Sequence, residues 1–299
     1  MKKNLKKGIG IAVIFAMLFS LVAISSSALA EQRAVAKREL SLNGIRTRNV
    51  SEYTPLPLIH NGNNLGSIAR LINGTVYIPI RQFVESVSSA KVTYYSATKT
   101  LTVTGDGHNI SVNDGAFVFY ANGRPIFERT PSVLLSNGRM YAPLSTVAKA
   151  LSLSSSYDGS MAYTGGTVAA LTPANKYYPE DAVYWLSRII SAESKGESLL
   201  GQIAVGSVVM NRVKSTAFPN TIWGVIFDRQ YGVQFSPVAN GTIYDAPSYN
   251  SVLAAKICLE GYRVSEDILY FINPEIIKNS WIQRTRQYDF SIKHHDFYN

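Results

Sequence analysis

Five residues from Ala182 to Ile190 are apolar at helical spacing, and the next position on their stripe is a glutamate. Ala182, Trp185, Leu186, Ile189 and Ile190 fall at i, i+3, i+4, i+7 and i+8, the pattern of a helix face packed on a core. Glu193 continues that face. An ionised carboxylate is costly to bury without partners, so desolvation would hold Glu193 protonated near neutrality, the state a general acid requires. A helix that frays at Ser191 would leave Glu193 in water and without this role. Glu197 lies one turn further on, where it either reaches the same site or serves as a cap or ion-pair partner. No second catalytic carboxylate is evident, because Asp228, Asp245, Asp267, Asp289 and Asp296 are dispersed without a diagnostic motif.

Other chemistries find little support in the residue inventory. Cys258 is the only cysteine, which excludes an internal disulfide, and its apolar neighbours Val252, Ala255 and Leu259 mark it as a core residue rather than a nucleophile. His60 and His108 lack ligand-spaced partners, and His294 and His295 form a lone adjacent pair. No metal or cofactor is implied.

The helix that must hold Glu193 opens on Pro179-Glu180-Asp181, with proline in the first turn and acids at the positive end of the dipole, and Gly196 can end it. Ahead of it, residues 167–178 contain Thr-Pro-Ala-Asn and read as a linker. Residues 56–166 are β-rich, with period-2 alternation in Thr75-Val76-Tyr77-Ile78 and Leu101-Thr102-Val103-Thr104. Asn73-Gly74, Asn122-Gly123 and Asn137-Gly138 supply turn residues. The segment Asn73-Gly74-Thr75-Val76-Tyr77-Ile78-Pro79-Ile80 is echoed 64 residues later by Asn137-Gly138-Arg139-Met140-Tyr141-Ala142-Pro143-Leu144, each copy leading into a short helical stretch. Residues 31–55 are polar and aperiodic, a flexible lead.

The first thirty residues read as a secretory signal peptide. Lys2, Lys3, Lys6 and Lys7 precede an uncharged run from Ile9 to Ile24, and Ala28-Leu29-Ala30 forms a small-residue cleavage site. An uncleaved anchor is the competing reading; with cleavage after Ala30 the product is secreted, with no permanent membrane anchor. Loss of the four lysines takes the net charge from +9 to about +5, suited to an anionic wall. The positive charge is scattered and no recognition motif accompanies it, which argues against nucleic acid.

Residues 56–166 resemble the copper amine oxidase N-terminal-like domain, a small module whose expected role here is spacing or wall attachment. The blocks Ser191-Ala192-Glu193-Ser194-Lys195-Gly196-Glu197, Gly201-Gln202-Ile203-Ala204-Val205 and Val209-Met210-Asn211-Arg212-Val213 resemble the SleB/CwlJ-type cell wall hydrolase family. The likeness continues through Phe218-Pro219-Asn220-Thr221-Ile222, Gln234-Phe235-Ser236-Pro237-Val238, Tyr270-Phe271, Asn273-Pro274, Trp281 and His295 with Phe297-Tyr298. It covers residues 179–299.

The resemblance implies two domains: an N-terminal α+β module with an internal repeat, and a C-terminal, mainly α, lysozyme/lytic-transglycosylase-like catalytic domain. It implies Glu193 as the catalytic residue and peptidoglycan, of vegetative wall or spore cortex, as substrate. Candidate substrate-binding residues are Glu197, Gln234, Phe235, Ser236, Tyr270, Asn273, Trp281 and His295, with Tyr231 and Tyr244 as further rings for stacking on sugars. Core packing is the competing role for Phe235, Phe271 and Trp281, and a structural role for His295. The expected reaction is cleavage between N-acetylmuramic acid and N-acetylglucosamine to a 1,6-anhydro product. A water-using muramidase, an N-acetylmuramoyl-L-alanine amidase and an inactive wall-binding protein are the alternatives. Spore cortex-lytic members often carry a different module in front, so vegetative wall turnover is as open as germination.

Overall fold

The computed structural model describes residues 53–134, 137–230 and 232–299. The expected export segment, residues 1–30, most of the lead, and Tyr231 lie outside them. The first region has the order β1 (Thr54–Leu56), β2 (Leu58–His60), β3 (Asn63–Asn64), β4 (Ala69–Ile72), β5 (Thr75–Pro79), α1 (Ile80–Val87), β6 (Lys91–Tyr95), β7 (Thr100–Gly105), β8 (His108–Asn113), β9 (Val118–Ala121), β10 (Arg124–Phe127), β11 (Val133–Leu134), β12 (Met140–Pro143), α2 (Leu144–Ala150), β13 (Ser154–Tyr157) and β14 (Ala162–Gly165). The strands form two five-stranded sheets, β1-β4-β5-β12-β11 and β10-β9-β8-β7-β6, and a four-stranded sheet, β13-β14-β2-β3. Tyr53 is already in the core and β1 is already paired, a few residues ahead of position 56.

The turn chemistry explains the hairpins. Asn73-Gly74 and Asn122-Gly123 both have φ > 0 at each residue and close the β4–β5 and β9–β10 hairpins. The two similar segments lie side by side as β5 and β12, antiparallel, with Tyr141 opposite Pro79 and Pro143 opposite Tyr77. In each, the proline is the N-cap residue of the following helix, where its missing N–H leaves no bond unmade. Both tyrosines are fully buried beneath the sheet with Ile72, and Tyr77 Oη donates to Pro131 O at 2.9 Å.

The second region contains α3 (Ala174–Tyr177), α4 (Glu180–Ser194), α5 (Leu199–Lys214), α6 (Ile222–Phe227), α7 (Ser236–Asn240), α8 (Tyr249–Leu259), β15 (Tyr270–Ile272), α9 (Trp281–Thr285), β16 (Tyr288–Ile292) and β17 (His295–Tyr298). Helix α4 starts at Glu180 with Pro179 as its N-cap rather than in the first turn, and it ends at Ser194 with Lys195 as its cap, short of Gly196. Leu186, Ile189 and Ile190 are buried, as the stripe requires. Helices α4, α5 and α8 pack around Gly206: a Cβ there would lie 2.7 Å from Cys258 Sγ and 2.8 Å from Ile190 Cδ1. Cys258 is therefore a core residue, and burial pushes its thiol up to about 12. The domain is mainly helical, and the three-stranded sheet β15-β17-β16, which the sequence pattern did not suggest, closes it.

One apolar cluster crosses from the first domain into the second. Phe117, Val118 and Phe127 of the first pack with Leu253, Ile257 and Cys258 of the second, and the Phe127 and Tyr262 rings meet edge-on at 4.7 Å. Within this interface Glu260 is held by Arg124 through two hydrogen bonds of 2.7 and 2.8 Å and by Tyr178 Oη at 2.5 Å, with Lys149 Nζ at 3.4 Å. Residues 167–178, expected as a linker, are fastened to the first domain. Ala174 N donates to Asn122 O, Asn122 Nδ2 donates to Leu171 O, and the Tyr177 ring lies 3.3 Å beneath the Arg124 guanidinium. Among the described residues no helix is long and apolar enough to cross a membrane.

Two stability predictions follow from these contacts. Gly206→Ala would force the three helices apart and lower unfolding free energy by about 1–3 kcal/mol, read from the denaturant midpoint. Glu260→Ala would strand a buried guanidinium and cost about 3–5 kcal/mol, while adding Arg124→Met would recover part of that loss.

Candidate active site

Glu193 sits on the last turn of α4, at the floor of a cleft of about 1290 Å³. Its side chain is half-buried, and among the described residues no hydrogen bond or ion pair reaches it. Burial pushes its pKa up to about 7, and no neighbouring charge contributes. The carboxyl is thus poised between acid and base at neutral pH, the condition for a group that must give a proton and take one back.

The turn after α4 places the second carboxylate. Glu197 accepts from His294 Nδ1 at 2.9 Å, with His295 Nδ1 at 4.0 Å, and its Oε2 is enclosed without a partner among the described residues. The turn is held from α5: Ser198 caps that helix by accepting from Gly201 N, and Gln202, fully buried, donates to Glu197 O at 3.0 Å and accepts from Ser251 Oγ at 2.8 Å. The Gly-Gln pair thus fastens the Glu197 turn to α5 and α8. His295 stands edge-on to Phe271 at 5.4 Å, and burial lowers its pKa, with Glu197 opposing.

The expected binding residues converge. Glu193, Glu197, Gln234, Phe235, Ser236, Tyr270, Asn273, Trp281 and His295 all line this one cleft. They differ in what they can offer. Phe235 is only 2% exposed and belongs to the core beneath the cleft. Trp281, for which core packing was one reading, is 49% exposed on the rim, edge-on to Tyr270 at 5.5 Å and near Arg286. Asn273 accepts from Glu275 N, so its amide oxygen is already occupied by the local turn. Tyr244 is not among the cleft residues; it is exposed beside Trp185, 6.3 Å away, in a separate aromatic cluster with Phe227.

Several cleft residues had not been singled out from the sequence. Asp228 is the one member of the dispersed aspartates that lines the cleft, and Phe218, Ile276, Ile277 and Arg286 join it. Arg212 also lines it, at the end of the α5 run Val205, Val208, Val209. A charged residue closing an apolar helical stripe was the signal that identified Glu193, and it applied equally here. The neighbouring Asn211 supports the wall of the cleft by donating from Nδ2 to Ser265 O and Ile268 O, both at 3.0 Å, while Arg212 Nε donates to Leu269 O at 2.8 Å.

Residues 196–298 match the family described as Cell Wall Hydrolase, and residues 60–163 match the Copper amine oxidase N-terminal domain. The chain thus carries a cell wall hydrolase domain behind a copper amine oxidase N-terminal-like domain. The hydrolase match begins three residues after Glu193. Among individual proteins, the chain is similar to the spore cortex-lytic enzyme of Bacillus cereus, 36% identical over 105 residues, which are 35% of this chain and 39% of the relative. The spore cortex-lytic enzyme of Bacillus subtilis is 34% identical over 115 residues, 38% of this chain and 36% of the relative. The chain therefore spans about two fifths of the length of these relatives. A solved structure, the catalytic domain of the germination-specific lytic transglycosylase SleB from Bacillus anthracis, is 34% identical, covering 42% of this chain and 98% of that one with a TM-score of 0.38.

The electrostatics of Glu193 give a test that needs no substrate. Its folded pKa is above the ordinary 4.5, so its contribution to stability is fully present below pH 4.5 and is lost as pH rises to about 7, beyond which it is constant. Denaturant midpoints of wild type and Glu193→Gln should diverge in favour of the variant across that window. Parallel pH curves would show that the carboxyl ionises freely.

Proposed function

We propose that this chain is an exported peptidoglycan-cleaving enzyme that acts as a lytic transglycosylase. The observation that carries the reading is Glu193: a carboxyl brought to about 7 by burial alone, in a long cleft with an aromatic rim. Protonated Glu193 donates its proton to the oxygen between N-acetylmuramic acid and N-acetylglucosamine. The bond from that oxygen to muramic C1 breaks, and the leaving sugar departs with a new hydroxyl. The resulting carboxylate then removes the proton from the muramic 6-hydroxyl as its oxygen bonds to C1. That closes the 1,6-anhydro ring and returns Glu193 to its acid form. Neither water nor a metal enters the balance. Trp281 and Tyr270 offer ring faces, and Gln234 and Ser236 polar contacts, along the bound strand.

Asp228 supports a second reading. A carboxylate in the same cleft is equipped to activate water, which would make the product a reducing muramic end and the enzyme a muramidase. The names of the relatives point to spore cortex, but they match this chain over only 105 and 115 residues, so cortex and ordinary wall are both candidate substrates. Residues 1–30 are read as the signal that exports the chain, the first domain as a spacing or wall-attachment module, and its paired strand–proline–helix units as an internal duplication. The lysozyme-like character of the helical domain belongs to the same reading.

Digestion of purified cortex and vegetative peptidoglycan, followed by mass spectrometry of the fragments, decides among these. The expected outcome is 1,6-anhydro-muramic ends, absent with Glu193→Gln. Reducing ends would establish the muramidase, and free stem peptides would sink glycan cleavage altogether. Activity of the wild type should fall as pH rises through about 7, because the donor form of Glu193 is then lost.

A further inference from the structure

Arg212 is a buried cation without an anion. It is 5% exposed, yet no ion pair reaches it among the described residues. Its Nε is used by Leu269 O, its Nη1 is enclosed without a partner among the described residues, and the residue lines the cleft that holds Glu193. Three rings surround the guanidinium, with centres at 4.9 Å (Phe218), 5.2 Å (Phe235) and 5.4 Å (Tyr270). Asp228 acts on it only through space. Burial lowers its pKa to about 10, which leaves it charged at neutral pH.

A fold does not gain stability from a charge placed this way; ring contacts offset only part of the desolvation cost. The Arg124–Glu260 pair in the same chain shows what a structural buried arginine looks like, with a carboxylate matched to two of its nitrogens. Arg212 has no such match, and an oxygen acceptor brought by the substrate would complete it. Burial, not a neighbouring charge, raises the pKa of Glu193. The role of Arg212 therefore lies in reading the substrate. The two sugars of a peptidoglycan strand differ by one group, the 3-O-lactyl ether of muramic acid, whose acyl oxygen is an acceptor that N-acetylglucosamine lacks.

We propose that Arg212 donates to the lactyl acyl oxygen of N-acetylmuramic acid, and so sets which of the two alternating sugars is placed on the reacting side of Glu193. This rests on the glycan-cleaving reading above.

The test uses the full chain carrying Glu193→Gln, which prevents turnover. Calorimetric titration compares a short alternating N-acetylglucosamine–N-acetylmuramic acid oligosaccharide with an N-acetylglucosamine oligomer of equal length. Adding Arg212→Gln should weaken the muramic ligand about tenfold or more, the loss of a charge-assisted bond, with the other ligand changed by less than about twofold. Arg212→Lys keeps the charge and loses the fork, so it should show a smaller loss confined to the same ligand. Equal losses for both ligands, in either variant, would make Arg212 structural or a reader of the shared acetamido group, and would overturn the proposal. An unchanged affinity for the muramic ligand would do the same. If the parent binds neither sugar chain, the glycan-cleft reading itself fails; if it binds both and only the selectivity argument fails, that reading stands.

Discussion

The close approach of three helices at Gly206 is the constraint on which the site depends. Ile190 from α4 and Cys258 from α8 occupy the space that any side chain at 206 would need. Ile190 lies one turn before Glu193, so the contact that seats Ile190 also fixes how deeply the carboxyl is drawn into the protein. The adjacent residues of α5 extend the same arrangement. Gln202 joins the Glu197 turn to Ser251 of α8, and Asn211 and Arg212 hold the segment that leads into Tyr270. One helix thus fastens both walls of the cleft, and its neighbour α4 carries Glu193.

Burial has opposite consequences at three charged groups, and the difference lies in their partners. At Glu193 it acts unopposed, and the carboxyl rises to about 7. At Glu260 burial also pushes the pKa up, but Arg124, Tyr178 and Lys149 outweigh it and hold the carboxyl below its ordinary value. At Arg212 the shift is downward but stops well above neutrality, so the charge persists. The protein therefore contains one buried carboxyl that is easily protonated, one that is locked ionised, and one cation that remains available. The locked group belongs to the domain interface and the other two belong to the cleft. Burial alone would not have sorted them; their partners do.

The parts of this structure that were legible in the sequence are those written in local periodicity. The stripe from Ala182 to Ile190 specified α4 and drew attention to Glu193, and Asn-Gly pairs with following Tyr-x-Pro segments specified hairpins and helix starts. What escaped was long-range. Arg124 and Glu260 are 136 residues apart, and neither has a neighbour pattern that announces a partner. The closing sheet escaped because β15 has three residues and β17 four, too short for alternation to stand out from aromatic loop composition. Asp228 joined the cleft through the path of the loop after α6, which no spacing rule encodes. Residues 167–178 looked like a linker because proline and small residues favour irregular backbone; the same small residues let Ala174 pack closely, 3.3 Å from where a Cβ on Gly123 would stand.

That docked segment changes what the first domain can do. A module on a free tether would add local concentration without direction. Here Glu260 follows the last residue of α8, and the opposite end of the same helix meets α4: Ser248, its cap, donates from its backbone to Ser191 Oγ at 3.1 Å, two residues before Glu193. An eleven-residue helix, about 16 Å long, therefore runs from the domain interface to the helix that carries the acid. Apolar packing and a satisfied ion pair join the domains at one end of this helix, and the Ser248–Ser191 hydrogen bond joins it to α4 at the other. If the first domain serves as the proposed wall-attachment module, these contacts couple its placement on the wall to the direction in which the cleft faces.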